Sequence, residues 1–114
     1  MKKSEIKLSI ELDKNHVPER IFWEADESPT GKKEEAGAIN LSIWDSKEKS
    51  TLRIDLWGKE MPTIEMKKFF IDTIGGMADS ILRSTGDQKM YDQMNELCVN
   101  LANDLAKEAE SMAQ

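Results

Sequence analysis

Two hydrophobic periods divide the chain. Up to Trp57 the apolar residues recur at every second position, and beyond Pro62 at every third or fourth. Alternation belongs to half-buried strands, the longer spacing to amphipathic helices. In the first strand Ile6, Leu8, Ile10 and Leu12 alternate with Glu5, Lys7, Ser9, Glu11 and Asp13, which predicts one buried and one wet face. Lys14 to Pro18 supplies a turn, and Ile21, Trp23 and Ala25 continue the alternation in a second strand. Phe22 falls on the wrong side of that pattern. Asp26 to Ala36, rich in charge and in Ser, Pro, Thr and Gly, reads as a long loop.

A third strand turns Ile39, Leu41 and Ile43 inward, with Asn40, Ser42 and Trp44 outward. A fourth has Leu52, Ile54 and Leu56 inward, with Thr51, Arg53, Asp55 and Trp57 outward. Pairing Ile43 with Leu52 and Leu41 with Ile54 keeps every aliphatic side chain on one face. That register leaves Ser46 to Lys49 as the hairpin loop. The corner Gly58 to Met61 then joins the strand half to the helical half.

Pro62 suits a first helical turn, and Glu65 suits the positive end of the helix dipole. Met66, Phe69, Phe70, Thr73, Ile74, Met77 and Ile81 make one stripe, interrupted by Gly75 and Gly76. Close contact with another element, or a bend, would accommodate that pair. Gly86 fits a helix end and Asp87 the cap of the next helix. There Met90, Met94, Leu97, Cys98, Leu101, Leu105 and Met112 share a stripe. The expectation is an α+β single domain over residues 1–114, with strands within about 4–57 and helices at about 62–84 and 87–112. Its four-stranded antiparallel sheet would carry both helices on one face.

Composition narrows the role more than the fold. A chain of 114 residues buries ~65% of its unfolded surface. Charged residues make up 33% of it and the net charge is -6, a balance that repels nucleic-acid backbones and anionic lipid. The single cysteine, Cys98, cannot form an internal disulfide, which fits a reducing compartment. Alternation from Glu5 replaces the apolar core of a signal peptide, and no apolar run approaches the ~18 residues of a membrane span. A cytoplasmic chain without direct membrane insertion is expected.

Few residues could carry chemistry. The single histidine, His16, lies in a turn with Asp13 and Glu19 nearby, and lacks the convergent ligands or oriented base that zinc or triad chemistry needs. Cys98 lies mid-stripe, the place of a small core residue. Gly75-Gly76 has no following Lys-Ser/Thr and is no phosphate loop. Of the seven methionines, Met66, Met77, Met90 and Met94 fall on core stripes. No catalytic residue, cofactor or metal is expected. An enzyme built on the acids around the Asp26 to Ala36 loop would need a deep pocket there.

Trp44 and Trp57 stand apart from this bland inventory. Both face outward beside Asn40, Ser42, Arg53 and Asp55, and large aromatics with an arginine on a polar face resemble an interface hot spot. The candidate partner-binding set is therefore Trp44, Arg53, Asp55 and Trp57, forming one patch. Cover by the chain's own loop or ends, or self-association, would satisfy the same pattern.

The stretch LRIDLWGKEMPTIEMKKFF, with INLSIWDSKEKST before it, MAD at Met77 to Asp79 and the opening SEIKLSIELDKNHVPERIFWEA, resembles the GldC family of Bacteroidetes over roughly Ser4 to Asp104. The departures are Gly75-Gly76 and the Ala- and Glu-rich tail after Leu105. The resemblance implies a small protein associated with gliding motility, whose partners lie in the motility machinery or its accessory components, including the lipoprotein GldB. It implies neither catalysis nor cofactor, and no binding residues. The leading expectation is a non-enzymatic accessory protein using the outer sheet face. The alternative is a holding or export chaperone similar in layout to SecB, and oligomeric like it.

Overall fold

Strand β1 (Ile6–Leu12) pairs antiparallel with β2 (Pro18–Ala25), setting Ile10 opposite Ile21 and Leu8 opposite Trp23. A short β3 (Glu34–Ala36) takes the other edge of β2, with Ile21 opposite Ala36. The order of this sheet is β1-β2-β3. Strands β4 (Ala38–Asp45) and β5 (Ser50–Trp57) form a second, two-stranded antiparallel sheet. Helices α1 (Thr63–Thr85) and α2 (Gln88–Met112) follow. This computed structural model describes residues 2–112, and the chain divides into two compact units, Met1–Met61 and Pro62–Gln114.

The antiparallel α+β character and both C-terminal helices agree with the sequence reading, and the helix bounds agree to within a residue. The single four-stranded sheet does not. Glu34 to Asp45 is one extended run interrupted at Gly37: its first part pairs with β2, its second with β5. Because β3 occupies the free edge of β2, β4 is directed into a separate ladder. Gly37 fits this corner, since a Cβ there would come 2.8 Å from Met61 Sδ, and its carbonyl accepts the Gly58 N–H at 2.9 Å. Residues 34–36, at the end of the supposed loop, were too short and too charged to show a period.

Phe22 finds its place through β3. Arg20 and Lys33 stand over its ring, 4.8 and 4.7 Å from the centroid. Arg20 also pairs at 3.3 Å with Glu35, the cross-strand partner of Phe22, and that carboxylate raises the guanidinium pKa further. An aromatic on the wet face is thus flanked by two cations.

Burial in the strand unit is sparse. Ile21, central in the middle strand, is its one fully buried side chain among the described residues. Ile6, Leu8 and Leu12 on β1 are exposed, as are Leu41, Ile43, Leu52 and Ile54 on the hairpin. Alternation correctly assigned these residues to common faces, but those faces are open. The three residues flanked by strands on both edges, Ile21, Phe22 and Trp23, are drawn in, Ile21 fully and the other two by half.

In the helical unit, Gly86 ends α1 in the left-handed region (φ 76) and donates its N–H to the Leu82 carbonyl at 2.8 Å. Asp87 caps α2, its Oδ1 accepting the Met90 N–H at 2.9 Å. The two glycines of α1 differ. A Cβ on Gly75 would lie 3.4 Å from Cys98 Sγ, whereas one on Gly76 would meet nothing within 4 Å. Close approach of α2 therefore accounts for Gly75 alone. The half-buried Cys98 thiol donates to the Ile71 carbonyl at 3.4 Å, and Lys67 pairs with Glu108 at 2.7 Å, joining the helices further along. Met66 and Met94 are half-buried as core residues would be, but Met77 and Met90 stand exposed.

Candidate interaction face

The hairpin register is the one that keeps the aliphatic residues together: Leu41 opposes Ile54 and Ile43 opposes Leu52. Its turn is built by Asp45, whose Oδ1 accepts the N–H groups of Lys47 (2.9 Å) and Glu48 (3.1 Å). Its carbonyl accepts the Lys49 N–H at 2.8 Å, and Lys49 closes the turn at φ 56.

On the opposite face Trp44 sits beside Thr51, Ser42 beside Arg53, Asn40 beside Asp55 and Ala38 beside Trp57. Cross-strand partners point to the same side, so all four candidate residues share one face. Trp44 is 59% exposed and Trp57 55%. Arg53 and Asp55 form an ion pair at 3.0 Å between them. The tryptophans are not neighbours, however. Thr51, beside Trp44, lies six residue steps along β5 from Trp57, roughly 20 Å at ~3.3 Å per residue. The expected patch is an elongated strip with an aromatic at each end and an ion pair in the middle. Asn40, half-buried within the strip, has an inaccessible Nδ2 without a hydrogen-bond partner.

The strand unit carries a feature that residue-by-residue reading missed. Ile6, Leu8 and Trp23 from one sheet, with Ala38, Ile39, Asn40 and Leu41 from the other, line an open, mainly apolar groove of about 280 Å³ between the sheets. Ile39 and Leu41 come to it from the aliphatic face of β4, Ala38 and Asn40 from the tryptophan face, and the bend at Gly37 brings these residues beside β1 and β2. Near the start of the Asp26 to Ala36 segment, a polar depression of about 170 Å³ is lined by Glu5, Lys7, Glu24 and Asp26.

His16 lies in the β1–β2 turn with φ 61, its N–H donating to the Asp13 carbonyl at 3.0 Å. Asp13 organises this turn. Its Oδ1 accepts the N–H groups of Asn15 (2.8 Å) and Val17 (3.0 Å), and its Oδ2 pairs with Lys59. The Lys59 hydrogen bond, with those from the backbone, lowers the Asp13 pKa from 3.8 to about 2. Among the described residues no three His, Cys, Asp or Glu side chains converge as a metal site, and no helix is long and apolar enough to cross a membrane.

The model of a family described as gliding motility-associated protein GldC-like matches residues 18–107. The chain belongs to the GldC-like family. The GldC-like region includes Trp44, Arg53, Asp55 and Trp57, the whole hairpin and the helical pair as far as Lys107, and leaves β1 outside. No curated protein and no solved structure matches the chain significantly.

Proposed function

We propose that this GldC-like chain is a non-enzymatic, cytoplasmic accessory protein of gliding motility that binds a protein partner through the outer face of the β4–β5 hairpin. The exposure of Trp44 and Trp57 on one face carries the reading. Tryptophans supply large contact area at low entropic cost, and the intervening Arg53–Asp55 pair adds polar specificity. The strip's length, roughly 20 Å, suits an extended partner segment better than a small ligand. Its partner belongs to the gliding machinery or its accessory components.

A second reading rests on the groove between the two sheets and on the aliphatic face of the hairpin. The open groove beside Leu8, Trp23 and Ile39, continuing into Leu41, Ile43, Leu52 and Ile54, offers the apolar surface a holding chaperone needs.

Affinity capture from the lysate of a gliding relative, with the unaltered chain and a Trp44→Ser/Trp57→Ser variant, separates the two. The accessory reading expects one enriched motility protein that is lost with the variant. Retention of many unfolded or secretory clients by both chains would favour the chaperone and overturn the tryptophan face.

A further inference from the structure

Strand β4 keeps one edge without a neighbour, since its sheet consists of β4 and β5 alone. The groups on that edge follow from the ladder. Gly58 donates its N–H to the Gly37 carbonyl at 2.9 Å, one step beyond the Ala38–Trp57 pair. Bonded and non-bonded pairs alternate in an antiparallel ladder. Ile39 and Leu41 therefore exchange bonds with Leu56 and Ile54, while Ala38 and Asn40 turn their N–H and C=O groups away from β5. Among the described residues no other backbone group bonds to Ala38 or Asn40. Asn40 also carries the Nδ2 without a partner. Both residues line the groove of about 280 Å³ whose other wall is Ile6, Leu8 and Trp23. Four consecutive residues, Ala38 to Leu41, reach that groove although their side chains alternate between faces, so it runs along the edge of the strand.

We infer that an extended segment of a partner protein adds to this edge as a further strand, with aliphatic residues at alternate positions and a lysine or arginine at its end. The outward backbone groups of Ala38 and Asn40 recur after roughly 7 Å, which is the repeat of another extended backbone. A helix satisfies its own backbone and an acyl chain carries no donors, so neither matches a row of unpaired N–H and C=O groups. Strand addition draws affinity from main-chain bonds and selectivity from pockets for alternate side chains. The uncharged wall of Ile6, Leu8 and Trp23 selects aliphatic ones. The basic residue follows from charge complementarity. Glu34 is the cross-strand partner of Trp23, on the same side of its sheet as that wall. Its carboxylate accepts the Thr30 hydroxyl at 3.0 Å and pairs with no cation among the described residues, in a chain of net charge -6. The site shares its groove with the chaperone reading but does not depend on it, because strand addition serves one specific partner as well as many clients.

Amide hydrogen exchange of the full chain, read by NMR with the synthetic peptide acetyl-Lys-Val-Thr-Val-Thr-Val-Lys-amide, tests this. Exchange at Ala38 and Asn40 should slow about tenfold or more at saturation, whereas Ile39 and Leu41, already bonded to β5, should change little. The same peptide with Glu at both ends should bind several-fold more weakly, and Glu34→Gln should narrow that difference. Leu8→Lys/Leu41→Lys, which places charge in the groove at two exposed positions, should abolish binding with the circular dichroism retained. Trp44→Ser/Trp57→Ser should bind the peptide unchanged, which separates this edge from the tryptophan face. No saturable binding, binding that leaves Ala38 and Asn40 unprotected, or binding lost with the tryptophans would overturn the inference. Protection of both amides in the free chain through self-association would overturn it too, and would assign the edge to a second copy.

Discussion

Lys59, in the corner after β5, forms an ion pair with Asp13, in the turn between β1 and β2. The same carboxylate holds the turn through the N–H groups of Asn15 and Val17. One aspartate thus ties a local turn to a residue distant in sequence.

The pair makes stability pH-dependent. The folded Asp13 stays ionised down to about pH 2, whereas an unperturbed carboxyl takes its proton near 3.8. Its contribution is complete above pH 3.8 and disappears as pH falls through about 2. Lys59, raised above its ordinary 10.5 by Asp13, keeps its contribution below pH 10.5 and loses it as pH rises through the elevated value. Asp13→Asn preserves the turn's acceptor and removes the charge. Thermal melts should show a lower midpoint for the variant at pH 7 and a difference that shrinks towards pH 2.

Gly76→Ala should stabilise α1 by about 1 kcal/mol, because the new methyl meets open space and helix propensity decides the outcome. Gly75→Ala should gain less, since its methyl reaches Cys98 Sγ at 3.4 Å. Urea denaturation of both variants would measure the contrast; an equal gain would remove the steric distinction.

The junction between the helices should be sensitive to two adjacent residues for different reasons. Gly86→Ala places a Cβ at φ 76, at a cost of roughly 1–2 kcal/mol. Asp87→Ala removes the cap on the Met90 N–H, at a cost of about 1 kcal/mol. Asp87→Asn should recover most of that loss in the same denaturation experiment.

Lys49 adopts φ 56, a conformation that costs a residue with a Cβ more than it costs glycine. Lys49→Gly should leave the hairpin intact and raise the thermal midpoint, with a gain of at most ~1 kcal/mol. A lower midpoint would mean that the lysine side chain contributes more than its backbone strain costs.

Trp44→Ser and Trp57→Ser remove exposed side chains, so each should change stability by no more than ~1 kcal/mol. A much larger loss in denaturant would identify these tryptophans as structural supports instead of contact residues.

Much of the local structure was legible in the sequence. The helix limits followed from period and caps, as at Gly86 and Asp87, and the hairpin register followed from keeping Leu41, Ile43, Leu52 and Ile54 on one face. The common face of Trp44 and Trp57 followed too, because alternation fixes the side on which each residue projects. Phe22 was flagged as anomalous, but its flanking cations depend on the pairing of β2 with β3.

The sequence by itself determined the two periods, the α+β class, the hairpin register and the GldC-like membership, all of which reside in spacings between near neighbours or in long stretches of residue identity. Tertiary structure decided the separation into two sheets at Gly37, the Asp13–Lys59 tie and the openness of the aliphatic faces. Periodicity says which side chains share a face, because that depends on the backbone repeat. Which strand takes which edge, and what lies over a face, depend on competition among segments far apart in the chain.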